Sequence, residues 1–136
     1  MIERDGTLYQ FVATHHAAWT NGDFKRWRQG IPWLIAAIAR CHHPVDNPRG
    51  RMNLNDFTVN LEFMGKPGQP FAEPRVAGAI ALTRYLLARY PTILPIRGHL
   101  LRHADINAVD REYCPGPTFP LRQIIETVGG DPARLG

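Results

Sequence analysis

Ile2-Glu3-Arg4-Asp5-Gly6-Thr7-Leu8-Tyr9-Gln10 is the stretch on which the reading of the fold turns. Asp-Gly supplies the positive φ that a tight hairpin turn requires, so Arg4–Thr7 is predicted to reverse the chain. Leu8–Val12 follows as a short strand, and Met1–Ile2 is the stub of its partner. A hairpin whose first arm is so short begins in mid-structure.

Working outward, Thr14–Gly22 reads as a loop closed by Asn21-Gly22. From Ile31 to Arg40, Trp33, Leu34, Ala37 and Ile38 fit one helical face behind Pro32, and Cys41-His42-His43-Pro44 ends the helix. Thr58–Phe63 alternates: Val59, Leu61 and Phe63 share one face, and Thr58, Asn60 and Glu62 the other. After a turn over Gly65–Gln69, Pro74 opens a helix with a stripe of Val76, Ile80, Thr83, Leu87 and Tyr90, closed by Pro91. Ile93–Ile96 reads as a short strand, the loop to Pro120 carries His103 and Cys114, and Leu121–Val128 makes a last helix. Strands and helices intermix, which predicts an α/β or α+β domain around one sheet.

The composition bounds the function classes. At 136 residues the chain has room for one core and one domain. No apolar run approaches the roughly 20 residues of a membrane-spanning helix. MIERDGTLYQ is charged near its start and has no apolar core, unlike a signal peptide. The 16 Lys+Arg against 12 Asp+Glu leave a mild +4, spread along the chain without an aromatic-interleaved basic patch, so nucleic acid is not an expected partner. A polyanion such as a bacterial cell wall is compatible with that balance. Two cysteines make no disulfide framework, and the six histidines are what composition leaves unexplained.

His103-Ala104-Asp105-Ile106-Asn107, with Cys114-Pro115-Gly116-Pro117 after it, places an imidazole and a thiol in one loop. Both suit zinc, and a catalytic zinc takes three protein ligands and an open position. His42-His43 reads as a solvated pair at a helix end, because adjacent residues rarely converge on one ion. Trp19, Trp27 and Trp33 read as structural, with a sugar-binding groove as the alternative.

Taken in order, the opening stretch, His16-Ala17, Thr58-Val59-Asn60-Leu61-Glu62, Arg97-Gly98-His99, His103–Asn107 and Cys114–Pro120 resemble the zinc-dependent N-acetylmuramoyl-L-alanine amidases. That family includes phage endolysins and peptidoglycan recognition proteins. Its pattern is I-x-R-D-G-T-x-Y-Q, H-A-G, N-x-x-S-I-G-I-E, a helix, G-H-x-D-I and C/D-P-G. The resemblance runs from Ile2 to about Leu121. It implies an α/β fold with a single mixed β-sheet flanked by helices, and zinc in a groove on the open sheet face. The implied reaction is hydrolysis of the amide between the lactyl group of N-acetylmuramic acid and L-alanine. The implied partner is peptidoglycan or a released muropeptide. Carried over by position, His103 and Cys114 are zinc ligands and Glu62 is the carboxylate that helps water lose its proton.

Three departures qualify the match. The family's first zinc histidine precedes the R-D-G hairpin, and this chain starts after it. Residues 1–136 are therefore expected to be one amidase-like domain truncated at its N-terminus, with 23–51 as a family-variable insertion. The missing strand leaves an unpaired sheet edge that invites self-association. The third ligand is then upstream, or else His16 or His15. Second, where many members carry an oxyanion-stabilising Lys two residues before the last ligand, Glu112 stands here, so the cation is Arg111. Third, Gly98-His99 bears the G-H signature as literally as His103 bears H-x-D-I; His103 is preferred because Asp105-Ile106 follows it. The expected setting is synthesis in the cytoplasm with action on the wall after release or export. Two other readings stand beside this one: a non-catalytic peptidoglycan-binding module without a complete zinc site, and a thiol hydrolase built on Cys114, His103 and Asp105.

Overall fold

The structure, a computed structural model, describes residues 1–13, 58–66, 68–106 and 111–134. Among these residues there are three helices: α1 (Glu73–Arg89), α2 (His103–Ile106) and α3 (Leu121–Thr127). The predicted helix over Ile31–Arg40, the insertion 23–51, His15, His16, the Cys41-adjacent histidines and all three tryptophans lie outside the described residues.

The expected single mixed sheet flanked by helices is overturned, because the described residues form no strand and no sheet. Extended segments meet only at isolated bridges: Ile2 with Leu8 (antiparallel), Ile2 with Phe63 (parallel) and Ile96 with Asp131 (parallel). A ladder needs successive pairs, and each contact stops after one. Pro95 removes a ladder donor beside Ile96. The unpaired sheet edge expected to drive self-association therefore has no sheet to belong to among these residues.

Ile2 is the joint between the extended segments. Its N–H donates to the Glu62 carbonyl at 2.7 Å and its carbonyl accepts from Met64 N–H at 3.0 Å. On the other side, Glu3 N–H bonds Thr7 O at 3.0 Å and Tyr9 N–H bonds Met1 O at 2.9 Å. Ile2 is fully buried, and with Ala79 and Ile124 it forms a core that Phe63, Ile80, Leu82 and Phe119 extend.

Helix α1 begins where the sequence says it should, with Pro in its first turn, Glu73 at the positive end of the dipole and Arg89 at the negative end. Its buried face is Arg75, Val76, Ala79, Thr83 and Leu86, rotated from the predicted stripe, with Ile80, Leu87 and Tyr90 only half-buried. The rotation follows from small residues. The Asp5-Gly6 turn packs on α1 so closely that a Cβ on Gly6 would collide with the Pro74 carbonyl, and one on Gly78 would stand 2.7 Å from Gly6 O. Gly6 also holds φ +89°, a value that favours glycine. Helix α3 buries Leu121, Ile124 and Ile125, and Arg84 of α1 donates to its Thr127 carbonyl at 3.0 Å, satisfying an end the helix cannot bond itself.

Candidate metal and catalytic site

The segment expected to be a loop around His103 is the short helix α2, held by Asp105. The Asp105 Oδ2 accepts from Arg102 N–H at 2.7 Å and from Arg102 Nε at 3.3 Å. Its Oδ1 takes Arg102 Nη2 at 2.9 Å and Arg97 Nη2 at 2.7 Å. The first of these is the returning half of a capping box, the third helical residue satisfying the N–H of the cap. Burial alone would raise the Asp105 pKa; the hydrogen bonds from Arg102 and Arg97 overcome it and hold the carboxyl below its ordinary value. The same contacts raise Arg102. Arg97 belongs to the Arg97-Gly98-His99 segment singled out in the sequence, but neither arginine was expected to carry a role of its own.

A second segment, Arg111–Phe119, is tied to α2 through backbone. Ala104 N–H donates to the Cys114 carbonyl at 3.0 Å, and Cys114 N–H to Arg111 O at 2.9 Å. The Cys114–Pro115 peptide is cis, and Gly116 turns the chain at φ +116°. Beyond it, Thr118 Oγ1 donates to Gln69 O at 2.9 Å. Phe119 joins Phe63 and Phe71 in three edge-to-face contacts with centroids 5.1–5.5 Å apart. That aromatic knot lies on the side of the Thr58–Met64 segment opposite Glu62, which is exposed.

Cys114 is half-buried, and its surroundings report on two of the other predicted residues. Burial, and then the Glu62 carboxylate, push the thiol pKa up, while Arg111 pulls it down. Glu62 and Arg111 thus each lie within electrostatic reach of Cys114, and the Ala104–Cys114 hydrogen bond brings the residue next to His103 against the same turn. His103 is half-buried with its Nε2 shielded from solvent. His99 goes elsewhere: its Nδ1 accepts from Leu94 N–H at 3.0 Å, and burial, then Arg134, lower its pKa. His16 and His15 lie outside the described residues.

The donor chemistry of His103 and Cys114 suits zinc. Among the described residues no three His, Cys, Asp or Glu side chains group into a metal site; these two donors are the part of the expected set that falls within them. A thiol hydrolase finds less support. Burial and Glu62 disfavour the thiolate it needs, and Asp105 spends its oxygens on arginines rather than orienting an imidazole.

A family profile for N-acetylmuramoyl-L-alanine amidase matches residues 1–117. The 1,6-anhydro-N-acetylmuramyl-L-alanine amidase AmpD of Enterobacter cloacae is 29% identical over 119 residues, 88% of this chain and 50% of the relative. The protein of that name from Haemophilus influenzae is 27% identical over 128 residues, 94% and 56% of the two chains. That of Escherichia coli K12 is 29% identical over 119 residues, 88% and 51%. The chain spans about half the length of the curated relatives it matches. No solved structure gives a significant match.

Proposed function

Because the chain belongs to the N-acetylmuramoyl-L-alanine amidase family, we propose that it hydrolyses the amide between N-acetylmuramic acid and L-alanine in peptidoglycan fragments. The observation that carries this reading is the gathering of Glu62, Arg111 and Cys114 around the turn that Ala104 bonds to the helix of His103. The names of the relatives point to released 1,6-anhydro muropeptide as the substrate class. No helix among the described residues is long and apolar enough to cross a membrane.

His103 and Cys114, with His16 as the third donor, would hold a zinc ion. Bound there, zinc polarises a carbonyl and lowers the pKa of a coordinated water toward about 7. The protein's own groups supply the rest. Glu62 is exposed on the side of its segment away from the aromatic knot, free to accept the proton of the attacking water and return it to the departing amine of L-alanine. Arg111 offers positive charge to the oxygen that becomes negative as the carbonyl carbon turns tetrahedral. It also favours the thiolate of Cys114, which must shed its proton to bind metal.

The test is the purified full chain loaded with zinc and mixed with 1,6-anhydro muropeptide, with products resolved by mass spectrometry. Release of the free stem peptide together with one bound zinc per chain supports the reading. Zinc bound without hydrolysis, or muropeptide bound without zinc, favours the non-catalytic binding module instead.

A further inference from the structure

Arg75 occupies the first turn of α1 and is only 4% exposed. Long helical side chains lean back toward the N-terminus, and this one lies over the Phe71 ring, with Cζ 5.2 Å from the centroid. Among the described residues it has no carboxylate partner and no hydrogen-bond acceptor, and its Nε is shut off from solvent. Glu73, the acid of the same turn, is exposed and two residues away, a spacing at which helical side chains do not face each other.

Two unfavourable terms coincide here. Among the described residues no counter-ion meets this cation, which is almost wholly removed from water. It sits at the end of a helix that already carries positive partial charge. The first turn has few donors of its own to offer, Pro74 having no N–H and Arg75 N–H bonding Ala72 O at 3.0 Å. The contact with Phe71 offsets part of this through the ring face. An anion at the guanidinium relieves both. The terminal nitrogens, unlike Nε, are not sealed off; Nη1 lies against the backbone of Gly65, where a Cβ would stand 3.2 Å from it and 3.7 Å from Nη2.

We propose that Arg75 forms a site for a small oxyanion, a carboxylate or a phosphate, held by the Nη fork. The geometry of a guanidinium suits two parallel hydrogen bonds to either group. The proposal does not draw on the amidase reading.

The experiment is thermal unfolding of the full chain in chloride buffer at constant ionic strength, titrated in separate arms with inorganic phosphate and with acetate. A saturable rise in midpoint of roughly 5 °C is expected in at least one arm, and the responding arm identifies the group bound. Arg75→Met abolishes the rise, and Arg75→Lys, a point charge without a fork, weakens it. No saturable rise in either arm, or an equal rise in Arg75→Met, overturns the proposal. Should Arg75→Met fail to fold, the Arg75 Nε–H resonance of the unmodified protein decides: it moves on titration if the site exists and stays fixed if it does not.

Discussion

The Arg97 guanidinium meets the Asp105 carboxylate at 2.7 Å, bringing the segment before α2 onto the helix that carries His103. Arg102 shares the same acceptor from the other side, so one carboxylate organises two arginines and the start of a four-residue helix. Asp105→Ala removes that centre and leaves two partly buried guanidiniums without it. The expected loss is about 3 kcal/mol of unfolding free energy, the lower part of the range for breaking a buried pair because Arg102 keeps solvent access. Urea denaturation of the two proteins measures it, and a change below about 0.5 kcal/mol would show that α2 is held by something else.

Stability should fall on acidification in two separate ranges. His99 is held below its ordinary 6.5 by burial and by Arg134. The unfolded chain therefore takes up the proton first, so the contribution is complete above about pH 6.5 and shrinks as pH falls below that value. Asp105 is held below its ordinary 3.8, so its contribution is present above pH 3.8 and is lost only as pH drops through the lower folded value. His99→Gln should flatten the dependence near pH 6 and leave the acid limb in place, as read from urea midpoints between pH 3 and 8.

Charge near Cys114 predicts how fast its thiol reacts. In a Cys41→Ser background, metal-free protein should be alkylated by iodoacetamide more slowly than a free thiol at pH 8, because burial and Glu62 raise the pKa. Glu62→Gln should speed the reaction and Arg111→Ala should slow it further. Equal rates in all three proteins would mean that neither side chain acts on the sulfur.

For the hydrolysis itself, Glu62→Gln should retain zinc and lose activity by roughly 10²–10⁴-fold, the range of a general base. Arg111→Ala should lower kcat more than it raises KM, since its charge serves an oxygen that is negative only in the transition state. A steady-state series on 1,6-anhydro muropeptide separates the two effects, and undiminished kcat in Glu62→Gln would remove that residue from the chemistry.

Gly78→Ala inverts a familiar rule. Alanine stabilises an exposed helix position by about 1 kcal/mol over glycine, but here the new methyl would stand 2.7 Å from the Gly6 carbonyl oxygen, which is backbone and cannot swing aside. A net loss of about 1–2 kcal/mol is expected, as for other overpacked sites. Thermal unfolding checks the sign.

How much was legible beforehand depended on whether local rules decide the outcome. Pro74 and Pro91 bracket α1 through their own missing N–H groups, so its ends could be read directly. Which face it buries depended on the Gly6 turn pressing on Gly78, a contact between distant parts of the chain, and the predicted stripe was rotated accordingly. Alternation in Thr58–Phe63 suggested a strand, yet Val59 is exposed and only Phe63 bridges; periodicity records a preference for extended backbone, not the presence of a neighbour. Motif order drew attention to Glu62, Arg111, His103 and Cys114, while the arginines around Asp105 and the burial of Arg75 were invisible, because a charge in sequence reads as solvated until packing shows otherwise.

The turn that carries Cys114 is moored at the cysteine itself by Ala104 and at its finish by Thr118 and Phe119. Glu112 and Tyr113, just before the first mooring, and Pro117, between the two, face solvent. Those three positions form an exchangeable cassette: substitutions there leave both anchorages in place and keep the sulfur at a constant address.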